Sequence, residues 1–244
     1  MISTKRFPRI LALLPLICAA ASASPSPEQI LTRADAIRFP SGDHSVNVTI
    51  TFKRSNGAAD VGKYEVLTKG FDKTVVKILA PATDHGNSLL MLGHDLWVFV
   101  NDASQPVRIS FQQRLMGDVA NGDLARANFV GDYTPTIAKQ NARYWVLNLA
   151  AKSDEVTYGR VLLEVEKNTY RPVKAQFFAV SGKLLKTGSY EAYRSVAGAM
   201  RPTRLVFANP LVKGQTSIIS YTAMTTDHFP EKYFTKDYLK KLKY

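Results

Sequence analysis

Val46-Asn47-Val48-Thr49-Ile50-Thr51-Phe52 alternates an apolar with a polar side chain at every step. Only an extended chain, whose successive side chains point to opposite faces, turns that order into one apolar and one polar surface. The stretch reads as a β-strand with one buried face, and the same period recurs on both sides of it. Ser55-Asn56-Gly57 marks a turn, and residues 61–68 and 73–79 read as two further strands about Gly70 and Asp72. Residues 88–92 and 95–100 form a hairpin around Gly93, and 107–111 continue the meander. Beyond residue 140 the alternation returns over 143–149, 158–166, 172–179, 184–193, 200–208 and 216–223. Ser181-Gly182-Lys183 and Lys213-Gly214-Gln215 supply turns between them. Short strands recurring about every 8–12 residues point to one antiparallel sheet, a barrel or a sandwich.

Three stretches do not alternate. Residues 26–37 begin with Ser26 as N-cap, Pro27 at the first helical position and Gln29 three residues after the cap, a capping box. Ile30, Leu31, Ala34 and Ile37 then share one face, and Pro40-Ser41-Gly42 ends the helix. Residues 112–140 carry no steady period; a connection this long in a compact domain reads as a lid or binding loop with one or two short helical turns. Thr235 opens a short basic helix at the end of the chain.

The chain has 244 residues, 45% hydrophobic and 21% charged, which excludes disordered, collagen-like and coiled-coil classes. Its net charge is +12, a surplus that suits either solubility or anionic surfaces and acidic partners. Lys5, Arg6 and Arg9, the apolar run 10–21 and Ala21-Ser22-Ala23 have the layout of a cleavable secretory signal. The run is shorter than the ~20 residues a membrane span needs. Cleavage after Ala23 removes the single cysteine, Cys18, so disulfides and thiolate zinc sites are excluded. Residues 24–244 then form one domain, exported to the periplasm.

Catalytic motifs are missing. No Gly-x-Ser-x-Gly elbow, His-Glu-x-x-His, phosphate loop or dinucleotide fingerprint occurs. His44, His85, His94 and His228 stand apart from one another; Asp84-His85 and His94-Asp95 read as polar turns. The basic residues are scattered rather than striped, which argues against nucleic acid. These readings leave no enzyme, metal or cofactor to expect. A broad sheet rich in aromatic side chains, with one apolar face to cover, fits a carrier of hydrophobic ligands.

Leu96-Trp97-Val98-Phe99-Val100 leads to Val107-Arg108-Ile109, then to Leu115-Met116-Gly117-Asp118, Asp123-Leu124 and Asp132-Tyr133. Pro27-Glu28-Gln29-Ile30-Leu31 precedes them and Phe234-Thr235-Lys236-Asp237-Tyr238-Leu239 closes the series. In this order the segments resemble the LolA/LolB-like outer-membrane lipoprotein-sorting proteins, in the branch found beside RND-type exporters. Two departures stand out: Asn101-Asp102 follows the Trp97 strand where the family often has proline, and Asp118-Val119-Ala120 intervenes before Asn121-Gly122-Asp123-Leu124.

The resemblance implies a mainly β (α+β) fold: an incomplete antiparallel β-barrel of about 10–11 strands with short helices as a lid over a hydrophobic cavity. It implies a monomeric periplasmic carrier that holds acyl chains of a lipoprotein or lipid and ferries them towards the outer membrane. An RND-type inner-membrane transporter and an outer-membrane acceptor are the partners it suggests. A non-enzymatic accessory module docking such an exporter is the alternative, and a hydrolase using His85 or His94 is a third. On this reading Trp97, Phe99, Leu115, Met116, Phe129 and Trp145 line the cavity and lid, and Gly117 is the lid hinge. Arg108 and Arg114 are expected to form lid salt bridges with Asp118 or Asp123.

Overall fold

The capping box forms as its residues dictate. The Gln29 amide donates to Ser26 Oγ at 3.3 Å and the Ser26 amide donates to Gln29 Oε1 at 2.9 Å, opening α1 (Pro27–Arg38). Ile30, Leu31 and Ala34 of α1 are buried against the sheet. The computed structural model describes residues 24–101 and 103–241; the leader expected over residues 1–23 lies outside the described residues.

The alternating segments all become strands. They are β1 (His44–Lys53), β2 (Ala59–Lys69), β3 (Lys73–Ala80), β4 (Ser88–Leu92), β5 (Asp95–Phe99) and β6 (Val107–Ile109). A hairpin of β7 (Arg114–Met116) and β8 (Val119–Ala120) follows, then α2 (Asn121–Ala125). The second run comprises β9 (Tyr133–Gln140), β10 (Tyr144–Ala151), β11 (Arg160–Glu166), β12 (Pro172–Phe178), β13 (Leu184–Val196), β14 (Ala199–Ala208) and β15 (Thr216–Thr226). A 3-10 turn, Glu231–Phe234, and α3 (Lys236–Lys241) end the described chain.

Thirteen strands among the described residues make one antiparallel sheet, in the order β6-β5-β4-β3-β2-β1-β15-β14-β13-β12-β11-β10-β9. The sheet is mainly β architecture left open, as expected, but with more strands than the ten or eleven anticipated. All twelve alternating segments join it, and the thirteenth strand is β9, which lies inside the stretch 112–140 read as irregular. Its sequence, Tyr133-Thr134-Pro135-Thr136-Ile137-Ala138-Lys139-Gln140, is exposed along most of its length, so no buried apolar face announces it.

The topology explains where the lid goes. β1 pairs with β15 in the middle of the sheet, so the two free edges are β6 and β9. Residues 110–132 are the chain's only link between those edges. They therefore lie across the open side of the curved sheet. The inner face and this crossing segment share one hydrophobic core with α1. A second, smaller core lies on the outer face, where Phe229, Phe234 and Leu239 cover Leu67, Val75, Leu90 and Phe99.

Candidate functional site

β-branched side chains at alternate positions give the inner face of β1 and β2 a low relief. Val46 and Val48 of β1 and Val66 of β2 point inward, joined by Thr74 of β3 and Met91 of β4. The crossing segment does not settle fully onto them. A cavity of about 160 Å³ remains between these residues and Leu124, Ala127 and Val130, with Phe39, His44 and Tyr221 at one side. Phe71, 52% exposed on the β2–β3 turn, stands at the rim. A smaller apolar hollow of about 60 Å³ continues from it between α1 and residues 128–130, sharing Phe39, Phe71 and Val130.

Buried charge holds the cover. Asp35 of α1 accepts the amides of Phe129 and Val130, both at 2.7 Å, and the Arg38 guanidinium at 2.8 Å. Arg38 also donates to the Ala127 carbonyl at 2.7 Å and lies over the Phe129 ring, 4.1 Å from its centroid. Arg126 forms a two-armed pair with Asp132, each arm 2.5 Å, and donates to the Gly93 carbonyl at 2.6 Å. Lys186 of β13 reaches Asp123 at 2.5 Å and the Asp118 carbonyl at 2.7 Å. Asp123 in turn accepts from the Tyr158 hydroxyl at 2.7 Å and the Ala120 amide at 2.8 Å. Charge-assisted bonds of this kind are the strong ones, and each anchors backbone of the cover to a rigid element.

Burial shifts the groups accordingly. Desolvation holds the Lys186 ammonium below the usual lysine range, against the pull of Asp123. It also drives the Tyr158 hydroxyl well above the usual phenol range. His44, on the cavity wall, is held below its ordinary value by burial, with Arg201 adding to the effect; its Nδ1 lies 2.9 Å from the Gly42 carbonyl.

The residues named from the sequence are distributed differently. Phe99 belongs to the outer-face core, and Trp97, two residues earlier on β5, lies beneath Lys236 of α3 at 4.0 Å. Period two puts both on the face opposite the cavity; Leu96 and Val98 face inward instead. Trp145 is buried on β10 against Tyr170, with ring centroids 5.4 Å apart, away from the cavity. Phe129 is buried beneath the cover beside Tyr133, their centroids 5.5 Å apart. Leu115 and Met116 pack the β7–β8 hairpin onto the core, with Met116 over Gly62, where a Cβ would come within 2.9 Å of its methyl. None of the six borders the 160 Å³ cavity.

Gly117 turns that hairpin at φ +55°, and a Cβ there would come within 2.5 Å of the Phe52 ring and 2.6 Å of Ser217 Oγ. The contacts make it a pinned turn, not a hinge. The expected lid ion pairs are replaced as well. Arg108 pairs with Asp95 on the neighbouring strand, Asp123 with Lys186, and Asp118 accepts from Asn209 at 3.0 Å. Arg114 is exposed with no carboxylate partner among the described residues. Nearness in sequence placed these arginines wrongly because β6 and β7 direct them to the outside.

Asp35, Arg38 and Lys186 were not anticipated. Each has a visible mark: Asp35 and Arg38 extend the apolar stripe of Leu31 and Ala34 by one turn, and Lys186 sits in register with the inward-facing Gly188 and Tyr190. His85 and His94 occupy turns at opposite ends of β4, and no cluster of metal-ligating side chains occurs among the described residues. No described helix is long and apolar enough to cross a membrane.

A family model described as that of an uncharacterized protein matches residues 70–241. No curated protein matches the chain. Among solved structures, LolA superfamily protein NE2245 from Nitrosomonas europaea is similar at 45% identity and a TM-score of 0.84, covering 88% of this chain and 100% of that one. A DUF1329 family protein from Desulfovibrio piger matches at 19% identity and a TM-score of 0.74, covering 88% and 100%. A domain assigned to outer membrane lipoprotein-sorting proteins from Vibrio parahaemolyticus matches at 20% identity and a TM-score of 0.72, covering 88% and 98%. The last two share the fold; the first, with nearly half its residues identical across its whole length, shows that this chain belongs to the LolA superfamily.

Proposed function

We propose that the protein is a periplasmic carrier that binds the acyl chains of a lipid or lipoprotein between the inner face of β1–β4 and the segment 123–132. The carrying observation is the cavity of about 160 Å³, walled by Val46, Val48, Val66, Met91 and Leu124 beneath a latched cover. It works by burial, with no bond made or broken. Each methylene taken from water contributes about 0.8 kcal/mol, so a long chain gains enough to hold without specific contacts. Pockets for small ligands run to about 300–1,000 Å³, so a full chain needs the cover lifted. The contacts of Asp35, Arg38 and Arg126 with backbone carbonyls and amides set the resistance to that motion. Chain entry exchanges them for apolar burial.

Within this reading an RND-type inner-membrane exporter loads the cargo and an outer-membrane acceptor receives it. Photocrosslinking from position 71, on the cavity rim, tests both partners. The cargo itself is tested by native mass spectrometry and solvent extraction of protein exported in a Gram-negative host. Bound lipid, displaced by a fluorescent fatty acid and reduced in Val66→Asp, is expected. Protein that carries no lipid and does not take up the probe overturns the proposal.

A further inference from the structure

β12 to β15 lie side by side, and their two hairpin turns, residues 179–183 and 209–215, emerge at the same end of the sheet. This end is opposite the β2–β3 turn that carries Phe71. Val180 in the first turn is 68% exposed and Leu211 in the second 67% exposed, with Val212 and Leu185 also on the surface. Each turn adds an exposed lysine, Lys183 and Lys213, and neither has a carboxylate partner among the described residues. Strands β12–β15 and their turns are one-sided in charge: they hold seven basic residues and one acidic, Glu191.

Single exposed aliphatic side chains are ordinary on protein surfaces. Two neighbouring turns that each push large aliphatics outward beside an unpaired lysine are not explained by that. A folded protein partner would be met by a continuous apolar plane. Here Val180, Leu185 and Leu211 rim one open groove, not a plane, and are backed by positive charge, which is the pattern of a surface that rests in the headgroup region of a bilayer.

We propose that these two turns dock the protein on a membrane surface bearing anionic lipid. Val180, Leu211 and Val212 enter the interfacial layer, while Lys183 and Lys213 meet headgroup phosphates. The excess charge of β12–β15 draws the protein to the surface before contact. The docking face is distinct from the cavity, so it does not depend on what the cavity holds, and it leaves the Phe71 rim free.

Flotation of the full chain with vesicles tests this. Binding is expected to vesicles of phosphatidylethanolamine with phosphatidylglycerol, to weaken with salt, and to be lost with phosphatidylcholine alone. Val180→Asp with Leu211→Asp should lower the bound fraction at least about tenfold, because each new carboxylate must be desolvated at a negative surface. Met200→Asp, at an exposed apolar position at the other end of the sheet, should bind as the parent does. Circular dichroism establishes that the variants fold. Should the aspartate pair fail to fold, Lys183→Gln with Lys213→Gln must flatten the salt dependence. Absence of binding to the anionic vesicles, unchanged binding of the folded aspartate pair, equal loss in Met200→Asp, or an unaltered salt dependence in the lysine pair each overturns the proposal.

Discussion

The two halves of the curved sheet obey one alternation but are filled differently. Around the cavity the inward residues of β1–β4 are mostly valines, threonines and a methionine, and space is left over. Across β12–β14, with Tyr158 beside them, rings pack around a cation. Phe177 lies 4.7 Å from Tyr158 and 5.5 Å from Phe207 between centroids, and the Lys186 ammonium sits 3.6 Å from the centre of Phe207. The contrast teaches that an open sheet does not have a cavity by virtue of its shape. The more enclosed hollow lies where inward side chains are short; in the other half aromatic volume and a paired lysine fill the inner face, and an open groove of about 470 Å³ lies at its end, between residues 114–120 and the 179–185 turn.

The plugged half should be the brittle one. Lys186→Met strips Asp123 of its buried cation and should cost about 3–5 kcal/mol in urea unfolding, while Lys186→Met with Asp123→Asn recovers most of that loss. A double variant no more stable than the single would break the assignment of the pair as the cost-bearing contact.

Overpacking should separate the halves next. A Cβ on Gly188 would sit 3.1 Å from Phe177 and 3.2 Å from Phe207, so Gly188→Val should lower stability by about 1–3 kcal/mol. Val48→Phe adds more volume but places it in the hollow. It should change stability by about 1 kcal/mol or less while sharply reducing fatty-acid uptake. Equal losses in the two variants would mean the halves are packed alike.

The smallest effect is in pH. His44 on the cavity wall has its folded pKa depressed below its ordinary 6.5 by burial. The unfolded chain therefore binds a proton that the folded chain refuses. Its contribution is fully present above about pH 6.5 and is lost as pH falls towards the folded value. His44→Gln should flatten the stability profile in that window, and a profile that keeps its slope would place the titration elsewhere.

Legibility followed the same division. Strands with a buried face were readable one by one, from Val46 to Phe52 onward, because period two survives any tertiary context that covers one side. β9 was not, since an exposed edge strand has no apolar face to show. Helix α1 was readable to its cap, because Ser26, Pro27 and Gln29 act locally. The site was far less so. Trp97 and Phe99 were the right kind of residue on the wrong face, a matter of one step in register. Asp118 and Asp123 lie in the crossing segment, but their partners, Asn209 in the turn after β14 and Lys186 on β13, come from far along the chain.

By itself the sequence determined a mainly β chain, its capped entry helix and a long irregular crossing, because alternation and capping are decided by near neighbours. Which edges that crossing joins, which face of β5 is inward, and which carboxylate meets which cation were decided only in three dimensions. β1 meets β15 across most of the chain's length, and a pairing at that distance leaves no local trace. The cavity follows from it: it is the volume left when the segment between the two free edges is latched by Asp35, Arg38, Arg126 and Lys186 over a face of short side chains.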